Sequence, residues 1–361
     1  MKSDPKWPLW LFALLIPLLP FVSVFADVMQ LGWGWWFFTP LFVFGFVPAL
    51  DLLVGDDSGN LSPATLDALV GSGYHRRLVD LYIPLQIVAF ATCAWFYGQS
   101  NGLGEKVGII FSAGIVGGVA INAAHELGHK KGDAAKRLSL LALAQSGYGH
   151  FYVEHNRGHH RHVATPEDPA SARFGESLWR FLPRTVTGSF ASAVRLERDR
   201  LNRRNLGFVS AHNHILQGAL LTAILWLGAV ALAGFSVWPF LLAQAVIGIF
   251  LLEDVNYLEH YGLRRQKLES GRYEACRPEH SWNSDHRVSN MFLYQLQRHS
   301  DHHANPTREY QVLRSFDDAP GLPTGYSGML LLSTVPWLWR RVMDPRVLAH
   351  YQEDRSLLNV G

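Results

Sequence analysis

Six near-unbroken apolar runs limit what this chain can fold into more than any other feature. They cover residues 7–25, 31–54, 78–97, 107–124, 215–234 and 237–258. As helices of about 18–24 residues, each is long enough to cross a hydrocarbon layer of about 30 Å. One such run could be a buried core helix. Six of them predict an all-α integral membrane protein with six transmembrane helices. The second run opens with Trp33, Trp35 and Trp36, which suits an aromatic belt at the membrane–water interface. The first lacks a small-residue cleavage site and reads as a spanning helix, not a cleaved signal peptide.

Six crossings put alternate connections on alternate sides. One side then receives 31 of the 32 Lys and Arg residues, and the other keeps only Lys106. The positive-inside rule assigns the basic side to the cytoplasm. Long loops follow that rule poorly, so the flanks Lys130, Lys131, Arg264 and Arg265 carry the argument. Both termini and a cap made of residues 125–214 and 259–361 are expected there, in the cytoplasmic (inner) membrane. With no low-complexity linker and no fixed repeat, residues 1–361 read as one domain. Two shorter apolar stretches are not expected to cross. Residues 138–153 contain Gln145, Ser146, Gly147 and Gly149, and read as a buried or interfacial helix. Residues 328–339 are short, contain Pro336, and are expected in the interface.

The polar part is dominated by histidine, 17 in all. His125 and His129 stand four apart in His-Glu-Leu-Gly-His, which puts both rings on one helical face. Glu154-His155-Asn156-Arg157-Gly158-His159-His160 and His299-Ser300-Asp301-His302-His303 form two further groups. The first group follows the fourth span directly, and the hairpin of the last two spans returns the chain to the same side at His260. Glu253, Asn256 and His260 share a helical face, so His260 can reach the same centre. An isolated interfacial histidine is the plainer reading of His260 taken alone. Together His125, His129, His155, His159, His160, His260, His299, His302 and His303 offer nine nitrogen donors. Zinc normally takes four ligands, so nine suit two metal ions with open positions; imidazole itself fits iron, copper or zinc. Glu154, Asp168, Glu259 and Asp301 could each fix the orientation of a ligating ring, or serve as ordinary surface or capping carboxylates.

Two other classes compete. His-Glu-Leu-Gly-His also fits the HExxH signature of zinc proteases, which would leave six grouped histidines without a purpose. A metal transporter would need polar residues along its spans, and these are nearly free of charge except at one end. Cys93 and Cys276 are too few for an iron–sulfur or rubredoxin site. Any electrons must come from another protein. The net charge of +2 gives no sign of a nucleic-acid partner, and none is expected.

Longer stretches carry a resemblance. NAAHELGHK (122–130), EHNRGHHRHVATPEDPAS (154–171), NYLEHYGL (256–263), HSWNSDHRVSN (280–290), LQRHSDHHANPTREY (296–310) and LPTGY (322–326) resemble the membrane-bound alkane 1-monooxygenases. These belong to the histidine-box superfamily of membrane fatty-acid desaturases and hydroxylases. Xylene-type monooxygenases share the boxes but look less similar around residues 154–171. The resemblance implies two non-haem irons held by the nine histidines, with His280 and His286 as supporting residues. It implies O2 as co-substrate, electrons from rubredoxin and rubredoxin reductase, and a medium-chain alkane drawn from membrane lipid and hydroxylated at its terminal carbon. A related hydroxylase or desaturase acting on another hydrophobic substrate is the alternative.

Chemistry agrees with this. No side chain can attack an unactivated C–H bond, so the metal must supply reactivity while the protein supplies position and dryness. Gly114 and Gly118 share a stripe with Asn122, His125 and His129 on the fourth span. They either let another helix approach closely or leave room for an alkyl chain. Arg195, Arg198, Arg200, Arg203 and Arg204 form either an attractive surface for an acidic donor or a solvated helix face.

Overall fold

The computed structural model describes residues 4–361. Six helices are long and apolar enough to cross a membrane: α1 (Leu9–Val28), α2 (Trp33–Val54), α3 (Gly73–Gln99), α4 (Leu103–Gly128), α8 (His214–Ala233) and α9 (Phe235–His260). They match the six runs. Helix is the favoured state there because inside hydrocarbon each backbone N–H and C=O must be bonded within its own segment. On the histidine-bearing side the helices outrun their apolar stretches. α3 begins at Gly73, and its first turn carries His75, which is buried with its Nε2 2.8 Å from Asp4. No strand forms among the described residues; apart from isolated bridges, the rest is helix, turn and loop.

α4 is the central post, and its contact with α9 sets the position of the site. A Cβ on Gly114 would come within 2.6 Å of the Ile247 Cβ, and one on Gly118 within 2.9 Å of the Leu251 Cδ1. Both glycines therefore let α9 approach closely. Side-chain size at these two positions sets the spacing of the ends that carry His125 and His260.

The stretch 138–153 is buried and re-entrant. After α4, helix α5 (Asp133–Ala144) runs back down alongside it. Ser139 Oγ donates to the Ala124 carbonyl at 2.8 Å, and Gln145 Nε2 donates to that of Ala113 at 2.9 Å. Those carbonyls are eleven residues apart, so the chain descends about 16 Å along α4. It turns at Ser146–Gly149 and climbs again as α6 (residues 151–162). Non-helical backbone at this depth survives only where its polar groups find partners; Ser146, Tyr148 and Gly149 are buried, and Gly147 at the tip is exposed. The Gln145 carbonyl accepts from Trp226 Nε1 at 3.0 Å and from Gln244 Nε2 at 2.8 Å. Its side-chain oxygen accepts from Gln86 at 2.9 Å. Gly149 packs directly on Gly218 of α8.

Around this frame, α7 (Leu178–Asn202) is amphipathic and packs on α6 and α9. The short helix α10 (His299–Ala304) lies among loops of the cap. α11 (Tyr326–Ser333) and α12 (Pro336–His350) follow. Of the stretch 328–339, Met329 and Trp339 are buried, whereas Leu331 and Trp337 stay exposed. That division of apolar side chains between core and surroundings fits a segment lying along the membrane edge.

Candidate metal centre

Nine imidazoles converge in two groups. His125, His129, His155, His160 and His302 offer donor atoms within 4.8 Å of one another, and so do His159, His260, His299 and His303. Each set is large enough to hold a metal ion. The closest approaches join Nε2 to Nε2: His125 to His302 at 2.9 Å, His160 to His155 at 2.9 Å, His159 to His303 at 3.2 Å, and His299 to His260 at 3.2 Å. Two of the rings are engaged through the opposite nitrogen, whereas Nδ1 of His160, His299 and His303 has no partner among the described residues. His159 Nδ1 faces Asp168 Oδ2 at 2.9 Å, and His260 Nδ1 faces the His280 carbonyl at 3.3 Å. A ring that donates its Nδ1–H presents a bare lone pair at Nε2, so these two rings point ligand atoms inward.

Local structure sorts the rings. Helical spacing alone would put His155 and His159, four residues apart, on one side. Residues His155–His159 instead form a π-turn, which brings positions five apart into line. His155 and His160 therefore join one group, and His159 turns to the other. On α10, His299 and His303 are four apart and share a group, while His302 faces the first.

Burial pushes His155, His160, His299, His302 and His303 well below the usual imidazole range, reinforced by the neighbouring rings. Burial, then the Lys130 charge, takes His129 down to about 3. These rings are neutral at physiological pH, the state that binds metal. Burial acts the same way on His159, but the Asp168 carboxylate outweighs it and raises that ring.

An apolar cavity of about 80 Å³ ends at both groups. His125, His155, His299 and Glu259 close its polar end, and Ile115, Val119, Leu251, Leu252 and Val43 line its apolar length. Ile115 lies ten residues before His125 on α4, so the cavity descends about 15 Å from the histidines into the spans.

Comparison with known proteins gives the family. Residues 106–330, which contain all nine histidines, match the model of the fatty acid desaturase family. An alkane 1-monooxygenase of Acinetobacter baylyi is 45% identical over 89% of this chain and 79% of that protein. One from Alcanivorax borkumensis is 44% identical over 99% of this chain and 89% of that protein. The chain belongs to the alkane 1-monooxygenase family. The xylene/toluene monooxygenase hydroxylase component of Pseudomonas putida is more distant, 25% identical over 89% of this chain and 85% of that protein.

The four carboxylates expected behind the ligands in this family member divide. Asp168 is fully buried against His159, and also takes Ser171 Oγ at 2.6 Å. Glu259 Oε2 lies 3.1 Å from His299 Nε2, the nitrogen that faces His260, while Tyr326 OH donates to Oε1 at 2.9 Å. Glu259 is thus beside the donor atoms, not behind a ring. Asp301 does not orient a histidine. Arg308 reaches it at 2.7 Å, Asn305 at 2.8 Å and the Arg314 N–H at 2.9 Å, and those bonds use its oxygens. Glu154 is likewise apart: neither carboxylate oxygen has a hydrogen-bond partner among the described residues, and burial pushes the group up to about 7. His280 supports His260 through its carbonyl, whereas His286 bonds Ser284 at 2.9 Å, away from both groups.

Gly114 is a packing residue, because the space a side chain would need is occupied by Ile247. Gly118 packs on Leu251 and also lines the cavity. Sequence reading passed over Glu197. This buried carboxylate accepts from Arg157 at 2.7 Å and Arg200 at 2.6 Å, tying the π-turn to α7. Burial opposes its charge, but the arginines and the His214 N–H prevail and hold it at about 2. An i, i+3 Glu–Arg pair was the one sequence signal for it.

Asp168→Asn keeps the shape but removes the charge behind His159. Loss of such a partner costs about 10–100-fold in metal affinity or activity. The expected result is weaker metal retention during chelator dialysis, at unchanged membrane yield. Wild-type retention would leave Asp168 as a loop brace for Ser171 alone.

Proposed function

We propose that this protein hydroxylates the terminal carbon of medium-chain alkanes to 1-alkanols, with two non-haem irons, one in each histidine group. The observation that carries this reading is the apolar cavity descending from the donor nitrogens into the spans, in a chain whose relatives are named alkane 1-monooxygenases. One oxygen atom of O2 enters the C–H bond and the other leaves as water, so two electrons and two protons must be supplied. Iron, when bound, supplies the oxygen activation that no side chain can. The nine histidines are the ligands in this reading, and Asp168 holds His159 in the ligating tautomer. The cavity walls exclude water and align an extended chain with its end at the histidines, which turns orientation into rate. Hydrocarbon dissolved in lipid can enter such a cavity without crossing water.

The zinc protease reading lacks its general base. Glu126 is held by Lys130 at 2.7 Å, and its Oε1 also accepts from the Tyr310 N–H at 3.4 Å.

Elemental analysis of purified protein, joined to product analysis with octane, O2 and a chemically reduced rubredoxin, tests the proposal. Two irons per chain and 1-octanol are expected. A single zinc with no alcohol formed would end it.

A rubredoxin-type donor, served by its reductase, would dock on the cap, with cap and termini in the cytoplasm of the inner membrane. Cysteines placed at Lys106 and at the exposed Lys131 should label from opposite sides. Arg195, Arg198, Arg203 and Arg204 are exposed, whereas Arg200 is bound to Glu197 and is not free to dock. Reversing Arg203 and Arg204 to glutamate should raise KM for an acidic donor severalfold at low salt and much less at high salt. A KM unmoved at either salt would place docking elsewhere on the cap.

A further inference from the structure

Besides Glu259, Tyr326 and Ser327, two asparagines interrupt the apolar wall of the cavity beside the histidines. Asn122 lies one turn before His125 on α4, and Asn256 one turn before His260 on α9. Both line the cavity. Each amide is oriented by what its nitrogen touches. Asn122 Nδ2 donates to the Leu293 carbonyl at 2.6 Å. Asn256 Nδ2 donates to Glu253 Oε2 at 3.1 Å. The Leu293 carbonyl and the Glu253 carboxylate oxygens accept hydrogen bonds and do not donate them, so neither amide can be reversed without placing oxygen against oxygen. Glu253 is itself pinned, by Tyr148 OH at 2.7 Å and Thr185 Oγ1 at 2.7 Å. The polar atom that each asparagine has left is Oδ1. Among the described residues, no donor reaches either one.

An alkane has no use for a hydrogen-bond acceptor, and two bare carbonyls at the end of an apolar cavity weaken its binding slightly. A primary alcohol has one O–H to donate, on the carbon that lies nearest the histidines. We propose that Asn122 and Asn256 are positioning residues for the oxygenated end of the ligand, their Oδ1 atoms accepting the hydrogen bond of a 1-alkanol hydroxyl. The inference rests on the alkane reading above. It makes the site selective for hydroxyl donors over oxygen atoms that only accept, and it makes the product a competitor of the substrate.

Equilibrium binding to the protein in lipid nanodiscs, without reductant, tests this with no turnover. The probes are radiolabelled 1-nonanol and methyl octyl ether, which match in heavy atoms and differ in having or lacking an O–H. After correction for partitioning into lipid, the alcohol should bind about fivefold more tightly, the effect of one net hydrogen bond. The double variant Asn122→Leu/Asn256→Leu should bring the ratio to about one, and each single variant, which keeps one acceptor, should lie between that value and the wild-type preference. Equal binding of the two probes by the wild-type protein overturns the proposal, as does a fivefold preference that survives in the double variant. If the leucine variants do not fold, the wild-type comparison still decides. Hydroxylation without alcohol preference removes only this inference. Alcohol preference without hydroxylation removes the alkane reading and leaves the acceptor site standing.

Discussion

Replacing His160 or His303 by alanine should lower activity by more than about 100-fold, since removing even a partner behind a ligand costs about 10–100-fold. The two variants should fail in different places. His160 sits in the group of five and His303 in the group of four, so each should lose the metal of its own group and keep much of the other. Elemental analysis reads this directly, as about half the wild-type metal in each variant. Both proteins should still reach the membrane, because the spans do not depend on these rings for their hydrophobic burial. Complete loss of metal in either variant would mean that the groups are one cooperative centre. Wild-type metal and activity in both would remove the histidines from the site.

Gly114→Leu should abolish the folded protein, whereas Gly118→Ala should be tolerated. A Cβ at residue 114 would meet the Ile247 Cβ at 2.6 Å and the Gln244 carbonyl at 3.1 Å, groups fixed to the backbone of α9. At residue 118 the one atom closer than 3.0 Å is the Leu251 Cδ1 at 2.9 Å, the far end of a flexible side chain, and the Leu251 Cβ follows at 3.1 Å, so a methyl group needs only a small shift. Overpacking by a methyl group or two costs about 1–3 kcal/mol, and a leucine against backbone-bound atoms exceeds that. α4 and α9 would be forced apart, and His125 and His260 with them. Gel filtration of detergent-extracted protein and metal content should fall together for Gly114→Leu. Full yield with a preference for shorter alkanes would instead make Gly114 a channel wall.

The sequence alone determined what depends on neighbouring residues. Apolar runs marked the six spans within a few residues, because spanning is a matter of length and continuous burial in lipid. Histidine spacing marked the nine donors, because four residues make one turn of helix. Asp168 stood among the expected carboxylates and does meet His159. What the tertiary structure decided involves contacts between distant parts of the chain. The five-and-four division of the histidines follows from a π-turn at His155–His159 and from four helix ends meeting, neither of which a local pattern records. Asp301 turned to Arg308 and Arg314, and Glu154 was left unpartnered, because a carboxylate binds the nearest donor that folding brings to it. The descent of residues 138–153 into the bundle brought Gln86, Gln145 and Gln244 from three separate segments into one hydrogen-bonded chain. Gly114 and Gly118 look alike in sequence. Only the side chains of α9 opposite them, Ile247 and Leu251, make one a rigid packing contact and place the other on the cavity wall.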